Sequence, residues 1–203
     1  IEEIAYADLS VSYIQLLTML CAGVLARHAR EDLAAEYLPQ YINGSKMIAL
    51  GLTEPRGGTD AANLILRAKR EGDSFILNGE KASISSAAQA DHCLIAARTG
   101  EVGEGARGVT AFLVDLHSPG VTRSAYNDLG SCAIGRGSIW FEDVRVPAHM
   151  MVGEEGAGFS KVMQGFDYSR ALIGLMCIGP AQASLDETWP YTLERQAFNR
   201  PIA

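Results

Sequence analysis

A short apolar segment that runs directly into a turn rich in proline and glycine constrains this chain more than any other feature. Residues 47–52 read as a strand, and the turn after them contains Gly57 and Gly58, where backbone N–H groups can approach a ligand because no Cβ intervenes. Thr53 and Thr59 add hydroxyls that donate or accept hydrogen bonds. Such a turn predicts either a loop that binds a polar cofactor or a phosphate, or an ordinary strand–loop connection.

The composition argues against several classes of function. The 203-residue chain has a net charge of −7, and its longest basic cluster, residues 67–70, alternates like the solvent face of a strand, so we expect no nucleic-acid partner. We see no apolar run of the roughly 18 residues that a membrane span needs, and we expect no span. The four histidines are scattered in the sequence, so we expect no metal site.

The cysteines and the two ends of the chain lead to two further expectations. Three of the four cysteines lie in apolar surroundings, which indicates buried thiols in a reducing cytoplasm. The chain begins at Ile1 without a methionine and stops at Ala203, where the sequence pattern indicates the start of a new segment. We therefore expect a fragment that lacks both ends of the natural protein.

The pattern of apolar residues divides the chain into three segments, 1–45, 46–155 and 156–203. The first reads as helix to about Leu38, with a bend or break at Gly23 and an end at Pro39. The second alternates with period two between frequent turns, which predicts a compact β-barrel or two packed sheets. The third reads as one long helix as far as Phe198. The candidate strands are Met47–Leu52, Leu64–Lys69, Phe75–Ser83, Cys93–Ala97, Val109–Asp115 and Ser138–Val144, and Glu101–Arg107 reads as an exposed loop.

Six short motifs follow one another along the chain. They are Thr-Glu-Pro-x-x-Gly-Thr-Asp at 53–60, Asn-Gly-Glu-Lys at 78–81, the apolar strand at 109–115, Phe-Glu-Asp-Val-Arg-Val-Pro at 141–147, Gly-x-x-Gly-x-Gly-Phe at 153–159 and Glu-Arg-Gln-x-Phe-x-x-Pro at 194–201. In this order they resemble the acyl-CoA dehydrogenases over residues 2–203. Within that family, residues 164–174 are similar to the branch that acts on cyclohexanecarbonyl-CoA or cyclohexenecarbonyl-CoA.

The resemblance implies a fold and an activity. The fold is α+β: residues 1–45 end an N-terminal helical domain, residues 46–155 form a middle β-barrel domain that binds flavin and acyl-CoA, and residues 156–203 begin a truncated C-terminal helical bundle. The implied activity is FAD-dependent α,β-dehydrogenation of an acyl-CoA thioester in the cytoplasm. The implied partners are an electron-transferring flavoprotein and further copies of the chain in a homotetramer.

The resemblance also implies which residues bind FAD. Thr53 bonds the polar edge of the flavin ring, with Leu52 beside it, and Ser85 donates toward the flavin N5 atom. Ser83 is a departure, because it stands where the family has a tryptophan; either another group covers the ring or the pocket is wider. Arg195 reaches the FAD pyrophosphate of a neighbouring subunit. The full implied set is Leu52, Thr53, Gly58, Thr59, Ser83, Ile84, Ser85, Arg195, Gln196 and Ala197.

The implied acyl-CoA site takes four residues, Thr59, Ala106, Asp167 and Arg170. Asp167 and Arg170 are three residues apart and share one helix face, where they either grip the CoA moiety or form an ordinary surface ion pair. Ala106 stands where many relatives have a serine, so its contact with CoA reduces to backbone.

The reaction needs a carboxylate that removes the α-proton of the thioester. In most relatives this base is a glutamate of the C-terminal bundle, beyond the end of this chain. Asp8 is one candidate within the chain, because an acid in the middle of a helix, between Ala7 and Leu9, could reach the pocket from the N-terminal domain. The alternative for Asp8 is a helix acid that faces solvent.

Other functions fit the same residues. An acyl-CoA oxidase or a flavin monooxygenase can use this fold, and consumption of O₂ during turnover would separate them from a dehydrogenase. A third alternative is a non-catalytic fragment that binds flavin or acyl-CoA and depends on another chain for catalysis.

Overall fold

The computed structural model describes residues 1–101 and 103–203; Val102, within the predicted loop Glu101–Arg107, lies outside the described residues. Residues 105–108 of that loop form a 3₁₀ turn. The helices are α1 (Glu2–Ala7), α2 (Leu9–His28), α3 (Glu31–Ile42) and α4 (Gly158–Glu194). The strands are β1 (Ile48–Gly51), β2 (Arg67–Glu71), β3 (Ser74–Ile84), β4 (His92–Arg98), β5 (Val109–Asp115), β6 (Val121–Ala125), β7 (Gly137–Pro147), β8 (Met151–Val152), β9 (Gln196–Ala197) and β10 (Arg200–Pro201).

Strands β1 to β8 form one mixed sheet. Its order is β6-β7-β3-β2-β4-β5-β8, and β1 lies off this path, parallel to β4. Every residue of β4 is buried, and so is β5 up to its last residue, which explains why these two strands read as continuous apolar runs. All six predicted strands exist, with shifted ends in five. The sequence prediction missed β6 and β8, which are short or largely polar.

The N-terminal helices break at positions that the sequence prediction did not choose. The break falls at Asp8, which lies between α1 and α2 with extended backbone, and not at Gly23, which lies inside α2. Asp8 is therefore not a mid-helix residue: its Oδ1 accepts hydrogen bonds from the backbone N–H groups of Ser10 (2.7 Å) and Val11 (3.1 Å). These are N–H groups that a helix start leaves without a partner, so Asp8 caps α2. Pro39 likewise does not end α3, which continues to Ile42.

Helix α4 runs for 37 residues and continues through Pro180 and Pro190. Two glycines let it approach its neighbours closely. A Cβ on Gly165 would lie 2.7 Å from a methyl of Val24 on α2, and one on Gly179 would lie 2.6 Å from the backbone nitrogen of Tyr6 on α1. The helix ends at Glu194 and not near Phe198, because β9 and β10 form a small hairpin there.

One hydrophobic core joins the sheet to the helices. It contains residues of α2, α3 and α4 together with the inner faces of the strands, among them Leu25, Leu33, Phe112 and Val162. Phe75 and Phe112 pack in its centre, with ring centroids 4.8 Å apart. The predicted segment boundaries at 45/46 and 155/156 fall in connections between elements and stay predictions.

Two expectations from composition need revision. Only Cys21 and Cys93 are buried; Cys132 and Cys177 are exposed, and all four are free thiols. Helix α2 is long and apolar enough to cross a membrane by length and composition, with a mean hydropathy of 1.8. The sequence prediction missed this apolar segment. Its buried residues pack in the hydrophobic core, and the expected absence of a membrane span stays a prediction.

We expect Asp8→Ala to lower the free energy of unfolding by about 1 kcal/mol, because two N–H groups of α2 lose their acceptor. Asp8→Asn is the matched control, since an amide oxygen caps a helix equally well. Urea titration of both variants measures the difference. Equal stability of the alanine variant and the wild type would contradict the capping role.

Candidate functional site

A backbone hydrogen bond from β3 holds the turn that follows β1. The backbone N–H of Ala82 donates to the carbonyl of Thr53 (3.0 Å), so the threonine lies against the C-terminal part of β3, next to an irregularity in its pairing with β7. Gly58 folds back onto the same threonine: a Cβ at position 58 would lie 3.3 Å from both Cγ2 and Oγ1 of Thr53. Gly57 has a φ of 142°, which a residue with a side chain rarely adopts. The two glycines therefore form an open cradle of backbone over Thr53.

A fully buried ion pair fixes the base of this turn. Lys81 Nζ donates to Glu54 Oε1 (2.8 Å) and to the carbonyl of Leu52 (3.0 Å). The Glu54 carboxylate also accepts from the backbone N–H groups of Ile65 (2.7 Å) and Leu66 (2.9 Å). Burial lowers the pKa of the Lys81 ammonium to about 8, and the attraction of Glu54 opposes that shift. The pair ties residues 52–54 to β3 and to the segment before β2.

A cavity of about 320 Å³ opens beside the turn, lined by residues between Leu52 and Leu64 that include Gly58 and Thr59. The buried Arg98 holds the backbone of the segment that lines one side of this cavity. The guanidinium donates to the carbonyls of Ala62 (2.6 Å), Leu64 (2.9 Å) and Gly105 (3.0 Å). Arg98 thereby joins the turn at residues 61–63 to the turn that carries Ala106.

A β-bulge interrupts the pairing of β3 with β7. Lys81 pairs with Ile139 and Ile84 with Gly137, so two residues of β3 face one residue of β7. Ser83 is one of the two, with a φ of 57°. A bulge leaves backbone groups without a strand partner and turns side chains in a new direction. Here the freed N–H of Ser83 donates to the hydroxyl of Tyr126 (3.3 Å).

A second cavity, of about 410 Å³, lies beyond the bulge between the sheet and α2. Ser85 and Tyr13 both line it, and their hydroxyls are hydrogen-bonded at 3.1 Å. Its remaining lining residues are Asp128, Leu129, Gly130, Ser131, Ile134 and Arg136.

Other predicted residues lie away from these two cavities. Asp167 and Arg170 form the expected i, i+3 ion pair on α4 (2.9 Å), with side chains 73% and 69% exposed, so the pair is free to be reorganised by a ligand. Arg195 and Gln196 are exposed at the end of α4, and Ala197 is half-buried. Asn199 adopts a φ of 62° in the turn between β9 and β10, a left-handed conformation that asparagine tolerates better than most residues.

Comparison with known proteins decides the family. The Acyl-CoA dehydrogenase middle domain matches residues 49–144, and the Acyl-CoA dehydrogenase C-terminal domain matches residues 156–203. An acyl-CoA dehydrogenase of Alternaria alternata is 36% identical over 91% of this chain and 42% of its own length. The chain belongs to the acyl-CoA dehydrogenase family. It spans about half the length of the curated relatives that it matches.

Two further relatives extend this result. The caffeyl-CoA reductase-Etf complex subunit CarC of Acetobacterium woodii is 36% identical over 94% of this chain and 50% of its own length. The butyryl-CoA dehydrogenase structure from Megasphaera elsdenii superimposes with a TM-score of 0.94 at 33% identity, over 99% of this chain and 53% of that one. The fold is therefore that of the acyl-CoA dehydrogenases.

Four residues at or next to the candidate site were not found by sequence reasoning: Tyr13, Arg98, Tyr126 and Arg136. None belongs to a motif, and each reaches the site through long-range packing or strand pairing. Lys81 and Glu54 lie within quoted motifs, and only their mutual contact was missed. Within the described parts of the chain, no cluster of three or more histidine, cysteine or acidic side chains could hold a metal.

We expect Lys81→Met to lower the free energy of unfolding by about 3–5 kcal/mol, because it leaves the buried Glu54 carboxylate without its cation. The matched control is Lys69→Met, which breaks the exposed Lys69–Glu71 pair (3.5 Å) and costs less than about 1 kcal/mol. Chemical denaturation measures both. Similar losses in the two variants would show that the buried pair is not what stabilises this region.

Proposed function

We propose that the complete protein is an FAD-dependent acyl-CoA dehydrogenase that oxidises the α,β bond of an acyl-CoA thioester. One observation carries the proposal. The Thr53 turn and the Ser83–Ser85 bulge are far apart in sequence, yet the 3.0 Å bond between Ala82 and Thr53 places them side by side. The resemblance assigns the flavin to these two segments together, and a chance likeness in either motif would not produce their contact.

The residues present fit a flavin. The backbone cradle at Gly57 and Gly58 leaves open the space that a Cβ would fill, next to the hydroxyl of Thr53. The Ser85 hydroxyl lines a cavity and contacts Tyr13 (3.1 Å). In this structure the Ser85 hydroxyl donates to Tyr13, and rotation of that hydroxyl would redirect its proton to a ring nitrogen. We therefore assign Leu52, Thr53, Ile84 and Ser85 to the ring, and Gly58 and Thr59 to the phosphates.

FAD, when bound, accepts the hydride from the substrate β-carbon. The chain's own task is to hold the ring and to exclude water from it, which Thr53, Ser85 and the apolar Leu52 can do. The α-proton requires a carboxylate, which we place in the half of the relatives' length that this chain does not span. Asp8 already accepts two backbone hydrogen bonds at the start of α2, which argues for a structural role.

The acyl-CoA site is a second part of the proposal. Thr59 lines the first cavity, and Arg98 holds the turn of Ala106 next to it, which supports a common role in binding CoA. Asp167 and Arg170 are exposed and remain our choice for the rest of the CoA moiety. We also propose a ring-bearing acyl group of the cyclohexanecarbonyl or cyclohexenecarbonyl type, supported by the likeness of residues 164–174.

The proposed assembly is a homotetramer in which Arg195, Gln196 and Ala197 contact the FAD of a neighbouring subunit. Arg195 and Gln196 are exposed at the end of α4, which makes them accessible to a second copy, and Ala197 beside them is half-buried. An electron-transferring flavoprotein is the proposed electron acceptor, in line with the name of the CarC relative, a subunit of a caffeyl-CoA reductase-Etf complex. Four free thiols support a reducing cytoplasm.

A flavin spectrum of the complete purified protein tests the proposal. We expect a yellow protein that is bleached by anaerobic addition of an acyl-CoA, and faster by cyclohexanecarbonyl-CoA than by a straight-chain substrate. A colourless protein that FAD cannot reconstitute would overturn the assignment. Rapid consumption of O₂ during turnover would replace the dehydrogenase with an oxidase.

We expect Thr53→Val to weaken FAD binding about tenfold, because the isosteric side chain fills the same space without the hydroxyl. Thr122→Val is the control, since Thr122 is exposed on β6. Flavin fluorescence titration measures both dissociation constants. Equal affinities in the two variants would remove Thr53 from the flavin site.

We expect Asp8→Asn to keep turnover of the complete enzyme near that of the wild type, because an amide preserves the cap. Steady-state kinetics with cyclohexanecarbonyl-CoA and cyclohexenecarbonyl-CoA measure this. A loss of several orders of magnitude, with unchanged stability, would instead make Asp8 the base.

A further inference from the structure

An aromatic–guanidinium stack covers the bulge where relatives carry a tryptophan and this chain carries Ser83. The Arg136 guanidinium lies over the Tyr126 ring, 5.2 Å from its centroid, and donates to Ser83 Oγ (3.3 Å). The sequence allows two explanations for Ser83: another group covers the flavin ring, or the pocket is wider. In this structure the position beside Ser83 is occupied.

Hydrogen bonds at the bulge hold this stack in place. The N–H of Ser83 donates to the Tyr126 hydroxyl (3.3 Å), which also bonds Ser138 Oγ on β7 (2.7 Å). Tyr126 is thus anchored on both strands of the interrupted pair, and its ring supports the guanidinium. Asp128 completes the arrangement with two bonds, from Arg136 Nε (2.9 Å) and Nη2 (2.6 Å). A planar guanidinium held in this way has a fixed orientation.

Arg136 keeps donors for a ligand. Of its five N–H groups, two bond Asp128 and one bonds Ser83, which leaves one on Nη1 and one on Nη2. Arg136 lines the same cavity as Ser85, the residue assigned to the flavin ring. The neighbouring Asp128 carboxylate neutralises the guanidinium, so the pair favours an uncharged acceptor over a phosphate or a carboxylate.

We propose that Arg136, oriented by the positioning residues Tyr126 and Asp128, donates a hydrogen bond to a polar edge of the flavin ring and covers the surface that tryptophan provides in relatives. The inference rests on the proposed FAD site. A hydrogen bond from a charged donor strengthens as the acceptor gains electron density, so Arg136 holds the reduced ring more tightly than the oxidised one. It therefore raises the midpoint potential.

The test compares three variants of the complete protein loaded with FAD. Arg136→Met lowers the midpoint potential, with about a tenfold change in the two-electron equilibrium constant, or roughly 30 mV. Asp128→Asn raises it, because the guanidinium charge is no longer neutralised. Arg145→Met is the control, since Arg145 lies on β7, the strand that follows Arg136, but pairs with Glu71 (3.6 Å), away from the cavity. Titration with a reference dye under anaerobic conditions measures each potential.

Shifts of opposite sign at positions 136 and 128, with none at 145, support the proposal, because a merely structural loss lowers affinity for both redox forms and leaves the potential unchanged. Equal potentials in Arg136→Met and Arg145→Met, in a protein that binds FAD, would overturn it. Failure of the wild type to bind FAD is a different result, which overturns the proposed function itself. If Arg136→Met does not fold, the sign of the Asp128→Asn shift decides, and an unchanged or lowered potential there would contradict the proposal.

Discussion

The buried contact between Lys81 and Glu54 organises most of the candidate site. Removing two opposite charges from water costs free energy unless each charge makes hydrogen bonds in the interior. Here all of these hydrogen bonds are made to segments that form the candidate site. Lys81 holds the carbonyl of Leu52, and Glu54 holds two N–H groups before β2. A hydrophobic replacement of similar volume could fill the space. It could not fix the direction in which the Thr53 turn leaves the sheet.

The second organising element is an irregularity in a long strand pair. In a regular antiparallel pair the N–H of Ser83 would donate to a backbone carbonyl of β7. It would then not be available to the Tyr126 hydroxyl. The extra residue in β3 releases that N–H, and Tyr126, the residue that follows β6, accepts it. An irregularity in one strand pair thus brings in a side chain from the end of the next strand. The position of the Tyr126 hydroxyl near the cavity therefore depends on backbone geometry as much as on the identity of the side chain.

The sequence predicted the secondary-structure elements better than the contacts between them. Alternation and turn residues located six strands, because half-buried and buried strands carry a strong apolar signal. Strands β6 and β8 escaped, since a polar strand of five residues and one of two residues carry almost none. The position of Asp8 shows a second limit: an aspartate between two apolar stretches reads as a helix residue or a cap, and only the backbone angle separates them. Tyr13, Arg98 and Arg136 could not be predicted, because their roles arise from contacts with residues that are distant in sequence.

The three carbonyls bound by Arg98 have a consequence for motion. Each belongs to irregular backbone, and the guanidinium that satisfies them is almost wholly inaccessible to water. Opening either turn exposes donors of the same side chain, so neither turn can open without weakening the other. The amide protons of residues 61–64 and 105–108 therefore belong to one cooperative unit in hydrogen exchange. A ligand that immobilises one of the two turns slows exchange in both, even where it touches only one.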